Sequence, residues 1–317
     1  MVKKILLLGP MVLFTILAVG QGCSDAGFCT MGAMRPDQHY NKRVVLKLRS
    51  LEYNYYRGQS TLTPIITAHT LEFNASLLEK NTVQLKVPYM FVDGSMGKNN
   101  GIGDISISMS RNVGQVGNWN IGATVGAKVP TGKSNAQLSS DHTGGVNVDM
   151  PMYYQITLGS YDLVAGASIL NNKWLFATGV QLALTANENY FQWSDWPEYP
   201  DQAYIRKYDV GRNLRRGTDI MLRAERNFRF LNWNVSLGLL PIYRITMDEV
   251  YNPDTDSRIK REGTTGLALS ALGSFGYSFD IRNGIKIIYG HKLMDREVNP
   301  DGLTRHAVLS ASYQYKF

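Results

Sequence analysis

The chain has 317 residues, with 33 Lys plus Arg against 26 Asp plus Glu and a formal charge of +7. This excess is mild and dispersed, unlike the clustered basic face of a nucleic-acid binder, so that class is set aside. After the N-terminal segment there is no stretch of about 18 or more uncharged apolar residues, which excludes a helical membrane anchor for the mature chain.

Residues 1–20 read as a cleaved secretory signal: Lys3-Lys4, an apolar run from Ile5 to Val19 broken only by Gly9 and Pro10, then Gly20, Gln21 and Gly22. The run is too short to span a bilayer as a helix, and cleavage is expected near Gly20. Residues 21–42 then form a periplasmic N-terminal segment holding Cys23 and Cys29, the 2 cysteines of the chain. In an oxidising compartment the first expectation is a disulfide between them. The alternative is a lipidated Cys23, against which Gly20 stands where a Leu-like residue is wanted.

From residue 43 to 317 the sequence alternates apolar and polar residues in segments broken by turn-forming stretches, the pattern of a transmembrane barrel with lipid outside and a polar lumen inside. Taken in order, strands are expected at 43–56, 61–77, 82–91, 102–111, 119–129, 147–170, 174–185, 219–227, 233–245, 266–280, 285–294 and 305–317. In the second, Leu71, Phe73, Ala75 and Leu77 share one face, with Thr70, Glu72, Asn74 and Ser76 on the other. The sixth is read as one long strand with a bulge at Gly159-Ser160, because the apolar face shifts between Leu158 and Leu163. The fold class is therefore all-β, an antiparallel up-and-down barrel of about 12 strands, an even number as single-chain bacterial barrels have.

Loop lengths support the same topology. Connections at 78–81, 112–118, 171–173, 228–232 and 281–284 are short, as periplasmic turns are, whereas the outward ones at 92–101, 131–145, 187–217, 246–263 and 295–304 are long, as extracellular loops are, and only the first outward connection, near Gly58, is brief. A soluble β-sandwich, the main competitor, would show strands of about 5 to 6 residues and would not end on an exposed aromatic strand. Here the last strand carries Tyr313, Tyr315 and the terminal Phe317 on one face, like the signal by which outer-membrane barrels are recognised for insertion.

The stretches Gly101-Ile-Gly103-Asp104-Ile105, Lys128-Val-Pro130-Thr131-Gly132-Lys133 and Thr157-Leu-Gly159-Ser-Tyr-Asp162-Leu163 resemble a large family of outer-membrane barrels named by analogy with a phenol-degradation pathway. The resemblance covers about two thirds of the mature chain, from the third strand onward. It implies the barrel architecture and, for function, transporter-like uptake of hydrophobic or aromatic compounds.

Two groups of residues are candidates for function. Glu72, Lys86, Asp104, Lys128, Asp219, Arg223, Glu225, Arg244 and Lys286, with Lys47 and Glu52, fall on the polar side of the strands and are expected to line the lumen. They suit either a charge-lined pore that selects solutes or an interior filled by paired side chains. The longest outward loop carries Trp193, Trp196, Tyr199, Tyr204, Arg206 and Arg212, residue types that binding surfaces use. That loop suits either a constriction or docking surface, or plain packing at the barrel rim.

Gly126–Ser134 superficially resembles a phosphate loop, but its glycine spacing is one residue too long and no helix follows. No nucleophile and base motif is present, so no enzymatic activity, cofactor or metal is expected. The expected role is a porin-like channel of the bacterial outer membrane for passive passage of small solutes. The alternatives are a non-catalytic subunit of a barrel-assembly or secretion complex, or a surface receptor or adhesin. Outer-membrane lipids and lipopolysaccharide are the expected partners, with other outer-membrane proteins or lipoproteins as further candidates and nucleic acid excluded.

Overall fold

The computed structural model describes residues 46–59, 64–78, 80–301 and 305–317. The expected signal peptide and the Cys23 and Cys29 pairing lie outside these residues.

Twelve of the strands in the main sheet make the wall. They are β1 (Leu46–Gln59), β2 (Ile65–Leu77), β3 (Asn81–Gly94), β4 (Ile105–Val116), β5 (Trp119–Val129) and β6 (Asp162–Leu170). There follow β7 (Trp174–Ala183), β8 (Asp219–Phe230), β9 (Trp233–Arg244), β10 (Gly266–Ser278), β11 (Asn283–Met294) and β12 (Ala307–Lys316). Each pairs antiparallel with the next, and β12 returns to β1, for example Tyr53 opposite Tyr313. Closure leaves no free sheet edge in the wall, the condition for a β-structure to sit in hydrocarbon. A shorter strand, Gly97–Ile102, runs into β4 and pairs with the outer part of β3.

Alternation sets the two faces. In β2, Glu72, Asn74 and Ser76 are buried in the interior while Leu71 is 44% exposed on the outside. The outer wall carries aromatic residues toward both ends, where amphipathic rings sit at the membrane interface. At the inner end Trp233 lies 4.4 Å from Tyr277 and Trp174 stacks on Phe176 at 5.7 Å. Arg226 folds over Trp174 at 4.8 Å, keeping its charge at the interface. At the other end His69 packs among Tyr53, Tyr55 and Phe91. Tyr313 and Phe317 of the terminal segment also face outward, 45% and 58% exposed.

One expected element is corrected. The stretch 147–170 is not a single wall strand, because only Asp162–Leu170 joins the barrel. Residues Met150, Met152, Tyr154, Ile156 and Leu158 alternate with the period of a strand, but they bury their side chains inside the outer mouth rather than in lipid. A short 3-10 turn spans Met152–Tyr154. The change of face between Leu158 and Leu163 marks the exit of this inward segment into the wall, and Gly159 makes the corner with φ +68°, a conformation that other residues adopt only under strain.

Candidate functional site: the barrel lumen

The middle of the lumen has two unlike sides. On β2 to β5 it is polar: Lys86 pairs with Glu72 at 3.3 Å, Gln84 donates to Glu72 at 3.4 Å, and Ser110 bonds Thr124 at 2.9 Å. On β6 to β10 it is apolar, with Val164, Ala177, Met221, Leu240 and Leu272 packed together. Below that patch Arg223 donates to Glu225 at 2.7 Å.

Toward the outer end the lumen is crossed by a connected set of buried ions. Arg244, the last residue of β9, is 0% exposed and binds three carboxylates. It donates Nε and Nη2 to Asp219 across the strand pair, both at 2.8 Å, and Nη1 to Asp248 at 2.7 Å. Nη2 also reaches Asp301 at 2.9 Å. The fork geometry of a guanidinium, with several fixed donors, makes such a hub possible where an ammonium would not. Arg296 adds a contact to Asp219 at 3.4 Å.

A second set lies on the β4 to β6 side. Lys128 pairs with Asp104 at 2.7 Å and with Asp162 at 3.4 Å. Asp162 also accepts from Arg216, from Ser160 at 2.8 Å and from Gln181 at 2.7 Å. Asp104 accepts from the Thr157 hydroxyl and from the Leu158 amide at 3.2 Å. Thr131 donates to the Gly103 carbonyl at 2.6 Å. All three sequence stretches that carry the family resemblance thus converge on one knot of wall and inward segment. Gly132 is needed there: a side-chain carbon at that position would stand 2.6 Å from the Ile102 carbonyl oxygen.

In the loops, burial opposes ionisation of Asp301, but Arg244, Arg296 and Arg216 outweigh it and hold its carboxyl well below the ordinary range. Burial pushes Asp248 the other way, upward, with Arg244 opposing. The network therefore carries more charge than it would if burial alone ruled.

Above these ions the outward loops fold into the mouth. Tyr154, Phe191, Trp196, Ile205 and Tyr208 form one apolar cluster with Ile66 and Val92 of the wall. Buried amides replace sheet hydrogen bonds in this irregular backbone: Asn189 donates to the carbonyls of Ser134 and Met150 at 3.0 and 2.8 Å, and Gln155 accepts from the Ala136 amide at 2.8 Å. A short helix, α1 (Gln202–Arg206), starts at Asp201, whose side chain accepts from the Tyr204 amide at 2.9 Å.

Of the residues expected in the lumen, Lys47 is exposed and Glu52 lines a cavity at the inner end. Glu72, Lys86, Asp104, Lys128, Asp219, Arg223, Glu225 and Arg244 point inward and are engaged in ion pairs, and Lys286 lines the same cavity. Of the loop candidates, two are buried and four reach the surface in part: Arg206 is exposed, and Trp193, Tyr199 and Tyr204 are half-buried. Trp196 and Arg212 are buried, 0% and 8% exposed, and Arg212 donates to the Phe191 carbonyl at 3.1 Å. Tyr204 accepts from the Tyr208 hydroxyl at 2.5 Å and stacks on Tyr199. Arg206 sits over the Trp193 ring at 4.0 Å. Missing from the sequence candidates were Arg216, Asp248, Arg296 and Asp301, which stand in loops where no periodicity assigns a face. Asp162 was visible within the stretch Thr157–Leu163, and its position two residues before the inward Val164 could have marked it.

No family model and no curated relative matches this chain. Among solved structures, an outer-membrane channel from Pseudomonas putida superposes with a TM-score of 0.52 at 14% identity, over 89% of this chain and 99% of that one. The NanC porin (TM-score 0.45, 8% identity, 85% and 98% covered) and the KdgM porin (0.43, 10%, 84% and 99%) are more distant. At such identities the first likeness speaks for the fold alone. The closed wall, the apolar exterior and the polar interior define an outer-membrane β-barrel.

Proposed function

We propose that the protein is a porin-like channel for small solutes, with its outer mouth closed by its own loops in the conformation described. The observation that carries this reading is the make-up of the lumen: a polar side on β2 to β5 faces an apolar patch on β6 to β10, and a cavity of about 300 Å³ lies at its inner end. The buried ions and the aromatic cluster act as a gate, since they bind loops to the wall with polar contacts that can be exchanged for water when the loops lift. Uptake of hydrophobic or aromatic compounds has a counterpart in the apolar patch around Met221 and Leu240.

The test is reconstitution of the purified full-length protein into planar bilayers, with liposome swelling in small sugars and aromatic acids alongside. Discrete conductance steps and solute-dependent swelling are expected. A preparation that is folded yet silent in both assays, and that co-purifies with stoichiometric outer-membrane proteins, would replace the channel with the accessory-subunit reading.

A further inference from the structure

At the inner end, the turn between β8 and β9 and the adjoining ends of β1 and β10 to β12 surround the cavity of about 300 Å³. Its space comes from side chains that are absent. The inward positions 276 and 284 on neighbouring strands are glycine, and Ser278 and Ser312 stand opposite Gly284 and Lys286. Neither glycine is there for backbone reasons, since a side-chain carbon would meet nothing closer than 3.6 Å at Gly276 and 3.4 Å at Gly284. Small residues at these places keep a hollow open.

The charges around this hollow are unbalanced. Among the described residues, Arg229, Lys286 and Lys316 line it against one carboxylate, Glu52, which is 1% exposed. Three cations against one anion leave an excess of two positive charges. The outer half of the same lumen pairs its ions one against another, and Arg244 alone meets three carboxylates. In the hollow, among the described residues, the Arg229 and Lys316 side chains form no ion pair. Amide groups of Asn234 and Gln314 add hydrogen-bonding partners on the same lining.

We propose that this inner vestibule binds small organic dianions, dicarboxylates above all. The excess charge matches a dianion, the Arg229 guanidinium offers a fork that fits a carboxylate, and the low-dielectric walls of a barrel strengthen the attraction. A hollow of this volume is at the lower end of ligand-site sizes, so the ligand has few heavy atoms. Binding at this site stands independently of conductance, whereas its use in selecting solutes rests on the channel reading. For a channel, the vestibule raises the concentration of anions at the inner end, and the protein is then anion-selective.

The experiment uses the full-length protein in neutral detergent and succinate as probe, with uncharged succinamide as its control, in equilibrium dialysis at low and at physiological salt. Succinate is expected to bind at least about 10-fold more tightly than succinamide, with the preference shrinking as salt screens the site. Arg229→Gln/Lys316→Gln removes the excess charge and lowers succinate binding about 10-fold or more. Gly276→Leu keeps the charge, fills the hollow and lowers it as well, which a merely basic surface would not do. Each variant's fold is checked by its heat-modifiable mobility in electrophoresis. Succinate bound no better than succinamide, or bound equally by the wild type and the double variant, overturns the proposal.

Reversal potentials in a salt gradient separate the two readings. Binding without any conductance removes the channel and leaves the anion site. Conductance with a selectivity that the double variant does not alter, and without succinate binding, removes the anion site and leaves the channel.

Discussion

The outer and inner halves of this lumen are built from the same twelve strands, yet they differ in nearly every physical respect. In the outer half Arg244, Asp248 and Asp301 are at most 2% exposed and each charge is engaged, under a cluster that includes Trp196, Tyr154 and Phe191. In the inner half the side chains surround an open hollow with cations in excess. The difference comes from connection length. The inner turns, such as Asn171–Lys173, are too short to reach the axis, whereas the outer connections between β5 and β6 and between β7 and β8 can enter the barrel. Once inside, their backbone and charges must be matched by partners, and that requirement produces the ion network.

The comparison breaks most completely at Arg244. Arg244→Gln leaves Asp219, Asp248 and Asp301 buried without their shared cation, and removing one partner of a buried ion cluster costs about 3–5 kcal/mol. Hydrogen exchange is expected to speed up in residues 245–249 and 295–301 and in the inward segment, and the open fraction in bilayers should rise. Unchanged protection in those segments would mean that the network does not hold the loops.

Trp196→Ala comes next. It empties the centre of the aromatic cluster, and deleting a fully buried Trp typically costs about 3 kcal/mol or more. Here the outer loops should become sensitive to protease added outside cells, while the wall keeps its heat-modifiable mobility. A smaller effect, about 2 kcal/mol, is expected from Gly159→Val, which forces a branched residue into the left-handed region at φ +68° and against Ser134. Its readout is the same protease assay.

Acid tests the sign of the electrostatics. Because Asp301 is held below the ordinary carboxylate range in the folded state, its contribution is complete above the unfolded value of about 3.9 and fades as pH falls through the folded one. Loop protection should therefore be retained from neutral pH to about pH 5 and be lost only below about pH 4. Asp248, raised by burial, works in the opposite direction and softens the change. Opening already at pH 6 would contradict this assignment. At the bottom of the scale, Lys98→Ala breaks a pair with Asp93 whose side chains are 76% and 59% exposed, and no measurable change in loop protection is expected.

How much of this was readable beforehand differs between wall and plug. The alternation of Leu71, Phe73, Ala75 and Leu77 with Glu72, Asn74 and Ser76 assigns each side chain to lipid or lumen, because the pleat has a period of two and each face meets one solvent. The same rule misled at Met150 to Leu158, where alternate apolar residues face an apolar loop cluster inside the mouth. Periodicity reports that one face is buried without saying in what. The composition around Trp196 and Arg212 suited a constriction, a docking surface or packing at the rim alike, and the structure buries these two side chains.

By itself the sequence determined the barrel, its strand number, its short and long ends and the inward charges Glu72, Lys86, Lys128, Asp219 and Arg244, because strand pleating and a two-sided environment are local and repetitive. Only the tertiary structure decided that Asp104 and Asp162 share Lys128, that Asp162 also takes Arg216, that Asp248 and Asp301 share Arg244, and that cations are left in excess around Gly276 and Gly284. Those relations join residues from separate loops and strands, and their distances depend on how the sheet closes and which connections fold into it.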